Sequence, residues 1–310
     1  MGMFRLLPDK PNFEFLRWRL IFFALSAVLM LASITVYFAK GLNYGIDFEG
    51  GVLVEVRTPT PADLGSMRAT LGDLGLGEVT LQEFGTPTDV LIRVQKQEGG
   101  EAAQQRAVEA VRNALGKDVE YRRVEFVGPK VGSELIRAGV TAVLLAIVAM
   151  LIYIWFRFEW QFGIGAVLAL SHDVLATIGV FAFFQFEFNL STVAAILTIA
   201  GYSINDTVVV YDRVRENFRK YKRMPLDQLF NRSINETLSR TVRTSATTLL
   251  ALFALYFFGG EVISGFSFAM IFGIVVGTYS SICIAVPLLL YMSLGRDAGM
   301  GGRETAEETP

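Results

Sequence analysis

Charge-free stretches set the first division of the chain. Residues 20–39 hold no charged side chain and lie between Arg19 and Lys40. Residues 138–156 are bounded in the same way by Arg137 and Arg157. Residues 160–186 are apolar except at His172 and Asp173, and residues 188–211 except at Asn205 and Asp206. Two further runs, 244–260 and 262–295, follow a basic segment at 212–243. A spanning helix needs about 20 predominantly apolar residues, so the pattern predicts six transmembrane helices. The first run is longer than the ~7–15 residues of a signal-peptide core, and TVYFAKG offers no small-x-small cleavage pattern. It reads as a retained anchor.

Between the first two spans, residues 40–137, the period changes. GVLVEVRT alternates as a strand, and residues 62–74 have a helical spacing. EVTLQEF and DVLIRVQ are strand-like and separated by GTPT, which suits a hairpin. GGEAAQQRAVEAVRNALG puts Ala103, Ala107, Val111 and Leu115 on one stripe and ends in glycine, as an amphipathic helix does. DVEYRRVEFVG supplies a last strand. The order β-α-β-β-α-β is that of a ferredoxin-like split unit. The predicted fold class is therefore a polytopic α-helical membrane protein with one ferredoxin-like α+β domain between helices 1 and 2.

Lysine and arginine in short loops give orientation. Arg5, Lys10, Arg17 and Arg19 precede the first span. The 212–243 segment carries Arg213, Arg215, Arg219, Lys220, Lys222, Arg223, Arg232, Arg240 and Arg243. The links between spans three and four and between five and six hold only Glu187 and Glu261. Residues 1–19, the basic loop 212–243 and the motif-free, flexible tail 296–310 are thus expected in the cytoplasm, and 40–137 outside it.

Composition agrees with a membrane protein: charged residues make up 19%, against ~25% in soluble domains. A net charge of −2 gives no support to nucleic-acid binding. With Cys283 and His172 the only residues of their kinds, an internal disulfide and a Cys/His zinc cluster are excluded. No metal site is predicted.

The candidate chemistry lies in the polar interruptions of the spans. A charge at the bilayer centre costs at least ~2.5–3.5 kcal/mol, so such residues face the bundle interior and mark ion or proton paths. Asp206 is the first candidate for a proton relay, with Asp173, His172 and Asn205 as further members. The structural alternatives are an acid that bridges helices by hydrogen bonds, or one that sits in an aqueous vestibule. Arg240 reaches a similar depth to Asp206 if its helix starts near Asn235, and its permanent charge would then act on the acid. Gly165, Ala169, His172, Ala176 and Gly179 form a small-residue stripe. Ala269, Gly273 and Gly277 form another, of the kind that lets membrane helices approach closely. In NYGIDFEGG, Gly45, Asp47, Gly50 and Gly51 mark a junction between membrane and domain, where glycine permits backbone angles closed to other residues.

NYGIDFEGG, SHDV, GYSINDTVVVYDRVREN, ETLSRTVRTSATTLLALFALYFFGG and GFSFAMIFGIVVGTYSSICIA, in this order over residues 15–293, together resemble the bacterial SecF family. That family supplies one half of the SecDF protein-export machinery and is related to the resistance–nodulation–division transporters. The resemblance implies a non-enzymatic subunit of the inner membrane that pairs with SecD and works beside the SecYEG channel. It implies that the proton motive force draws unfolded preprotein outward after the SecA-driven step, with YajC as a further candidate partner and the proton as coupling ion in place of a cofactor. Asp206 falls on the family's membrane-embedded proton-site aspartate, and Arg240 on the arginine linked to it. Glu49 and Arg243 depart from the usual pattern without touching that match. A bracing subunit without its own proton site is the second reading. An intramembrane aspartyl protease using Asp173 and Asp206 is the third, and it lacks the G-x-G-D motif.

Overall fold

The computed structural model describes residues 12–116, 118–260 and 263–292. Six helices among them are long and apolar enough to cross a membrane. They are α1 (Arg19–Lys40), α5 (Pro129–Arg157), α6 (Trp160–Phe184), α7 (Leu190–Lys220), α8 (Leu226–Phe258) and α9 (Ser264–Ser280), the last together with its continuation to Tyr291. A 3-10 turn, Phe15–Trp18, leads into α1. A π-helical turn, Ser281–Ala285, carries α9 onward. The tail 296–310, with the first eleven residues, lies outside the described residues.

Between α1 and α5 run β1 (Asn43–Tyr44), the one-turn α2 (Ile46–Glu49), β2 (Gly51–Arg57), α3 (Leu64–Gly72), β3 (Val79–Phe84), β4 (Thr86–Val94), α4 (Glu101–Leu115) and β5 (Glu120–Val127). The strands β3-β4-β2-β5 form an antiparallel sheet in that order. Alternation puts Val52, Val54, Val56, Val90, Ile92 and Val94 on one face, where they meet Met67 and Leu71 of α3 and Ala107 and Val111 of α4. Each fully buried aliphatic side chain contributes roughly 1.5–3 kcal/mol, and a charge at Val54 would have no partner there. Asp63 starts α3 by accepting hydrogen bonds from the backbone N–H groups of Gly65 and Ser66. At the sheet's margin Asp89 accepts from Arg57 Nε at 2.6 Å and Nη2 at 2.8 Å. That guanidinium, aided by Thr86, holds the Asp89 carboxyl down to about 2.

Two cores fill the helical bundle. One, around Leu16, Phe162, Tyr211, Phe230, Ile234 and Leu289, lies at the end far from the sheet. The other, around Phe48, Phe181, Phe188, Ile199, Met270 and Ile274, lies at the near end. The chain start docks on α8, where Asn235 both accepts from Phe13 N–H and donates to its carbonyl, each at 2.9 Å.

Several boundaries differ from those the charges predicted. The segment 212–243, expected as a loop, is helical through Lys220 and again from Leu226. Charged residues end a membrane span, not a helix, and these ones are good helix formers. Likewise α5 begins at Pro129, a residue suited to the first helical turn and well ahead of the charge-free run 138–156. Residues 187–188, expected within the apolar runs and their link, form a strand, β6 (Glu187–Phe188), parallel to β1.

Candidate proton site and its tie to the sheet

Asp173 of α6 is fully buried and hydrogen-bonded on both oxygens. Its Oδ1 lies 3.0 Å from His172 Nδ1. Its Oδ2 accepts from Ser203 Oγ of α7 at 2.6 Å and from Ser280 Oγ of α9 at 2.8 Å. Thr177 Oγ1 donates back to the Asp173 carbonyl at 2.8 Å. This acid therefore knots three helices together. His172, also buried, leaves Nε2 without a partner. The serines were only weakly signalled: TYSS is a polar pair in the last apolar run.

Asp206 sits one turn further along α7 from Ser203 and is buried, but its Oδ2 has no hydrogen-bond partner. Arg240 of α8 acts on it electrostatically across the α7–α8 contact. No ion pair between the two is present among the described residues. α8 begins well before Asn235 and so brings Arg240 to the required depth. Arg240 and Asn205 are both exposed on the bundle surface. Asn205 thus does not join the buried set: one residue along a helix is a rotation of about 100°, and it turns away from Asp206. Next to Asp206, Thr207 Oγ1 meets Ser281 Oγ at 2.9 Å. One turn on, Tyr211 donates to the Ala285 carbonyl at 3.2 Å. Both partners belong to the π turn, a feature that frequently marks functional sites. Asp173 and Asp206 share no hydrogen bond, so the two-acid pair a protease needs is not formed here.

The small residues sit where helices meet. A Cβ on Gly179 would overlap the Ser33 side chain of α1, and one on Gly273 would overlap Ile199 of α7. At Gly165 it would lie 2.5 Å from the Tyr211 hydroxyl. At Gly277 it would lie 3.0 Å from Ser203 Cβ and 3.4 Å from Asp173 Oδ2. Gly277 thus sets the approach of α9 to Asp173, and Gly165 that of α6 to Tyr211.

The NYGIDFEGG junction is a packed knot. Asp47 Oδ2 accepts from the backbone N–H of Leu190 at 2.9 Å, capping the start of α7 from another part of the chain. Asn189 adds a capping box with Thr192. Gly45 N–H donates to the Phe188 carbonyl at 2.9 Å, and Tyr44, Phe48 and Phe188 pack ring against ring. Gly51, at φ +120°, passes beside the Val94 carbonyl, where a Cβ would lie 2.5 Å away. Gly50 has φ +75°. Sequence reasoning missed three ties: Arg93 Nη2 of β4 pairs with Glu187 Oε2 at 2.7 Å, Arg93 Nη1 reaches Asn43 Oδ1 at 3.3 Å, and Gly132 of α5 abuts the Phe48 carbonyl.

No group of three or more metal-ligating side chains occurs among the described residues. Six span-length helices, buried acids at their contacts, and a sheet inserted between α1 and α5 define a multi-span membrane protein of the transport kind. The family of protein export membrane proteins SecD/SecF, C-terminal, matches residues 107–295, and the SecD/SecF GG motif matches 38–62. A protein translocase subunit SecF from Rhodobacter capsulatus is 47% identical over 94% of this chain and 92% of its own length. One from Rickettsia rickettsii is 48% identical over 92% and 93%. The crystal structure of SecDF from Thermus thermophilus superimposes with a TM-score of 0.82 at 38% identity, covering 91% of this chain. A super-membrane-facing form of SecDF gives 0.71 at 37% identity over 96%. The chain spans about two fifths of those SecDF chains, 38% and 41%. This chain belongs to the SecF family and is a bacterial membrane protein.

Proposed function

We propose that the chain is the SecF half of a proton-driven export motor in the bacterial cytoplasmic membrane, with SecD as its other half. One observation carries the proposal. The buried acid Asp206 lies beside a bare polar face, with Thr198, Gly201 and Asn205 exposed on α7 and Arg240, Thr244 and Thr247 exposed on α8. Exposed polar residues at membrane depth face protein or water, not hydrocarbon. A second helical bundle laid on α7 and α8 would cover them and complete the relay.

In this reading Asp206 takes up and releases the proton, and Arg240 sets the field in which it does so. Transfer of one charge across 100 mV supplies ~2.3 kcal/mol, enough to shift a two-state equilibrium by roughly fiftyfold. The moving part is α7. Asp206 lies about 24 Å from Leu190 at ~1.5 Å per residue, and Asp47 grips that N-terminus. A tilt or slide of α7 would therefore act on the junction and on the sheet domain beyond it.

The sheet domain is taken as ferredoxin-like and extracytoplasmic. Support comes from its strand order with two helices on one face, and from the basic residues of α7 and α8 at the opposite end of the bundle. Both termini are then cytoplasmic, and SecYEG, unfolded preprotein and YajC are partners to be sought. The test is export into inverted membrane vesicles with and without a proton gradient. Asp206→Asn should remove the gradient-dependent part while SecD still co-purifies. A subunit that only braces SecD would lose neither.

A further inference from the structure

A cavity of about 460 Å³ opens between α1 and α5 on the half of the bundle nearest the sheet. Its walls are Ile34 and Phe38 of α1, Val140 and Val143 of α5, Val174 of α6 and Ile196 of α7. Its floor is the junction itself, Tyr44, Phe48 and Phe188. The helices are held apart at this level for identifiable reasons. Gly179 draws α1 onto α6 through Ser33, and Gly132 draws α5 onto the Phe48 carbonyl. A wedge between α1 and α5 is left over, closed behind by α6 and α7.

We propose that this wedge is a lipid site that takes one acyl chain of a membrane phospholipid. Two observations select that occupant. The lining is almost wholly aliphatic and aromatic, and at its rim Val140, Leu144 and Phe38 are exposed on the outer surface of the bundle. At the sheet end of the wedge the exposed cation Arg137 directly follows the lining residue Ile136 and supplies a charge for the phosphate of a lipid whose tail enters, whereas Lys40 is held at the carbonyl and ring of Phe183 on α6. The described chain ends, Asn12 and Met292, lie at the other end of α1 and α9.

The site does not depend on the proton-site reading. It places hydrocarbon directly against the Tyr44–Phe48–Phe188 rings, so the bilayer becomes part of the joint between helices and sheet. Gly139 gives a way to close it. A Cβ there meets only the Val193 methyls, at 3.7 and 3.9 Å, an ordinary contact, and a longer side chain would extend into the wedge.

The probe is a fatty acid with a diazirine near its methyl end, fed to cells producing the full chain. After illumination, the purified chain is mapped for adducts by mass spectrometry. Adducts are expected on Val174 and Ile196, which are buried from the bilayer unless a chain enters. They should fall at least fivefold in Gly139→Leu, and likewise in Val143→Trp, while adducts on lipid-facing Leu145 and Val148 stay constant. Absence of adducts at Val174 and Ile196, or adducts there undiminished in both variants, would overturn the site. So would adducts that appear only when the partner subunit is absent, since protein would then be the occupant.

Discussion

Asp173 and Asp206 occupy neighbouring helices one turn apart in height, and their surroundings are opposites. Asp173 has a histidine and two serines on its carboxylate, from three helices, and no exposed surface. Asp206 has an orphan oxygen, a distant arginine and a bare polar flank. A carboxylate with both oxygens engaged is held in one state by its donors. One with an open oxygen beside an exposed face has room for a proton and for a partner. Burial alone does not separate the two roles; the inventory of donors does.

Substitution breaks the comparison most sharply. Asp206→Asn should abolish gradient-dependent export, a loss of tenfold or more, with expression and thermal stability unchanged. Asp173→Asn should act the other way, lowering stability. Interhelical hydrogen bonds in membranes average ~0.6 kcal/mol and reach about 1.7, so three weakened bonds predict roughly 2 kcal/mol, read as a lower melting temperature in detergent. If Asp173→Asn removed proton dependence and Asp206→Asn destabilised the bundle, the assignments would be reversed.

The next effect concerns spacing. Gly179→Leu inserts a side chain where α1 touches α6 and should cost about 1–3 kcal/mol, whereas Gly201→Leu, on the exposed stripe of α7, should leave the isolated chain stable and impair co-purification of SecD. A smaller effect is expected at the junction. Asp47→Ala removes a helix cap worth ~0.5–2 kcal/mol and should leave proton uptake intact while reducing export severalfold. Normal coupling in that variant would remove α7 as the transmitting rod.

The smallest effect lies far from the membrane and gives a control. Arg57 holds the Asp89 carboxyl at about 2, below its ordinary value of 3.8. A depressed folded-state value contributes stability that is present above pH ~4 and is lost as pH falls toward about 2. The melting temperature of Asp89→Asn should therefore be lower than that of the parent at pH 6, with the gap closing by pH 2.

Much of this was legible along the chain because water and hydrocarbon act on every residue locally. Charge-free runs gave the six spans, and alternation gave β2 and the stripe of α4. Asp206 stood out because an acid among aliphatic residues is costly anywhere. Helix ends were less legible: amphipathic, charged turns continue α7 and α8 beyond the apolar core, where charge alone suggests a loop. Partners chosen by the fold were hardest. Ser280 and Arg93 are ordinary residues until α9 comes beside α6 and β4 comes beside the α6–α7 link. Asn205 is adjacent to Asp206 in sequence, yet the helix turns it outward, which proximity along the chain does not reveal.

The most direct measurement is pH-difference infrared spectroscopy of the SecD-bound chain in lipid, following the protonated-carboxyl stretching band. The proton-site assignment predicts a band that disappears in Asp206→Asn and persists in Asp173→Asn. A band lost in Asp173→Asn and retained in Asp206→Asn would contradict it.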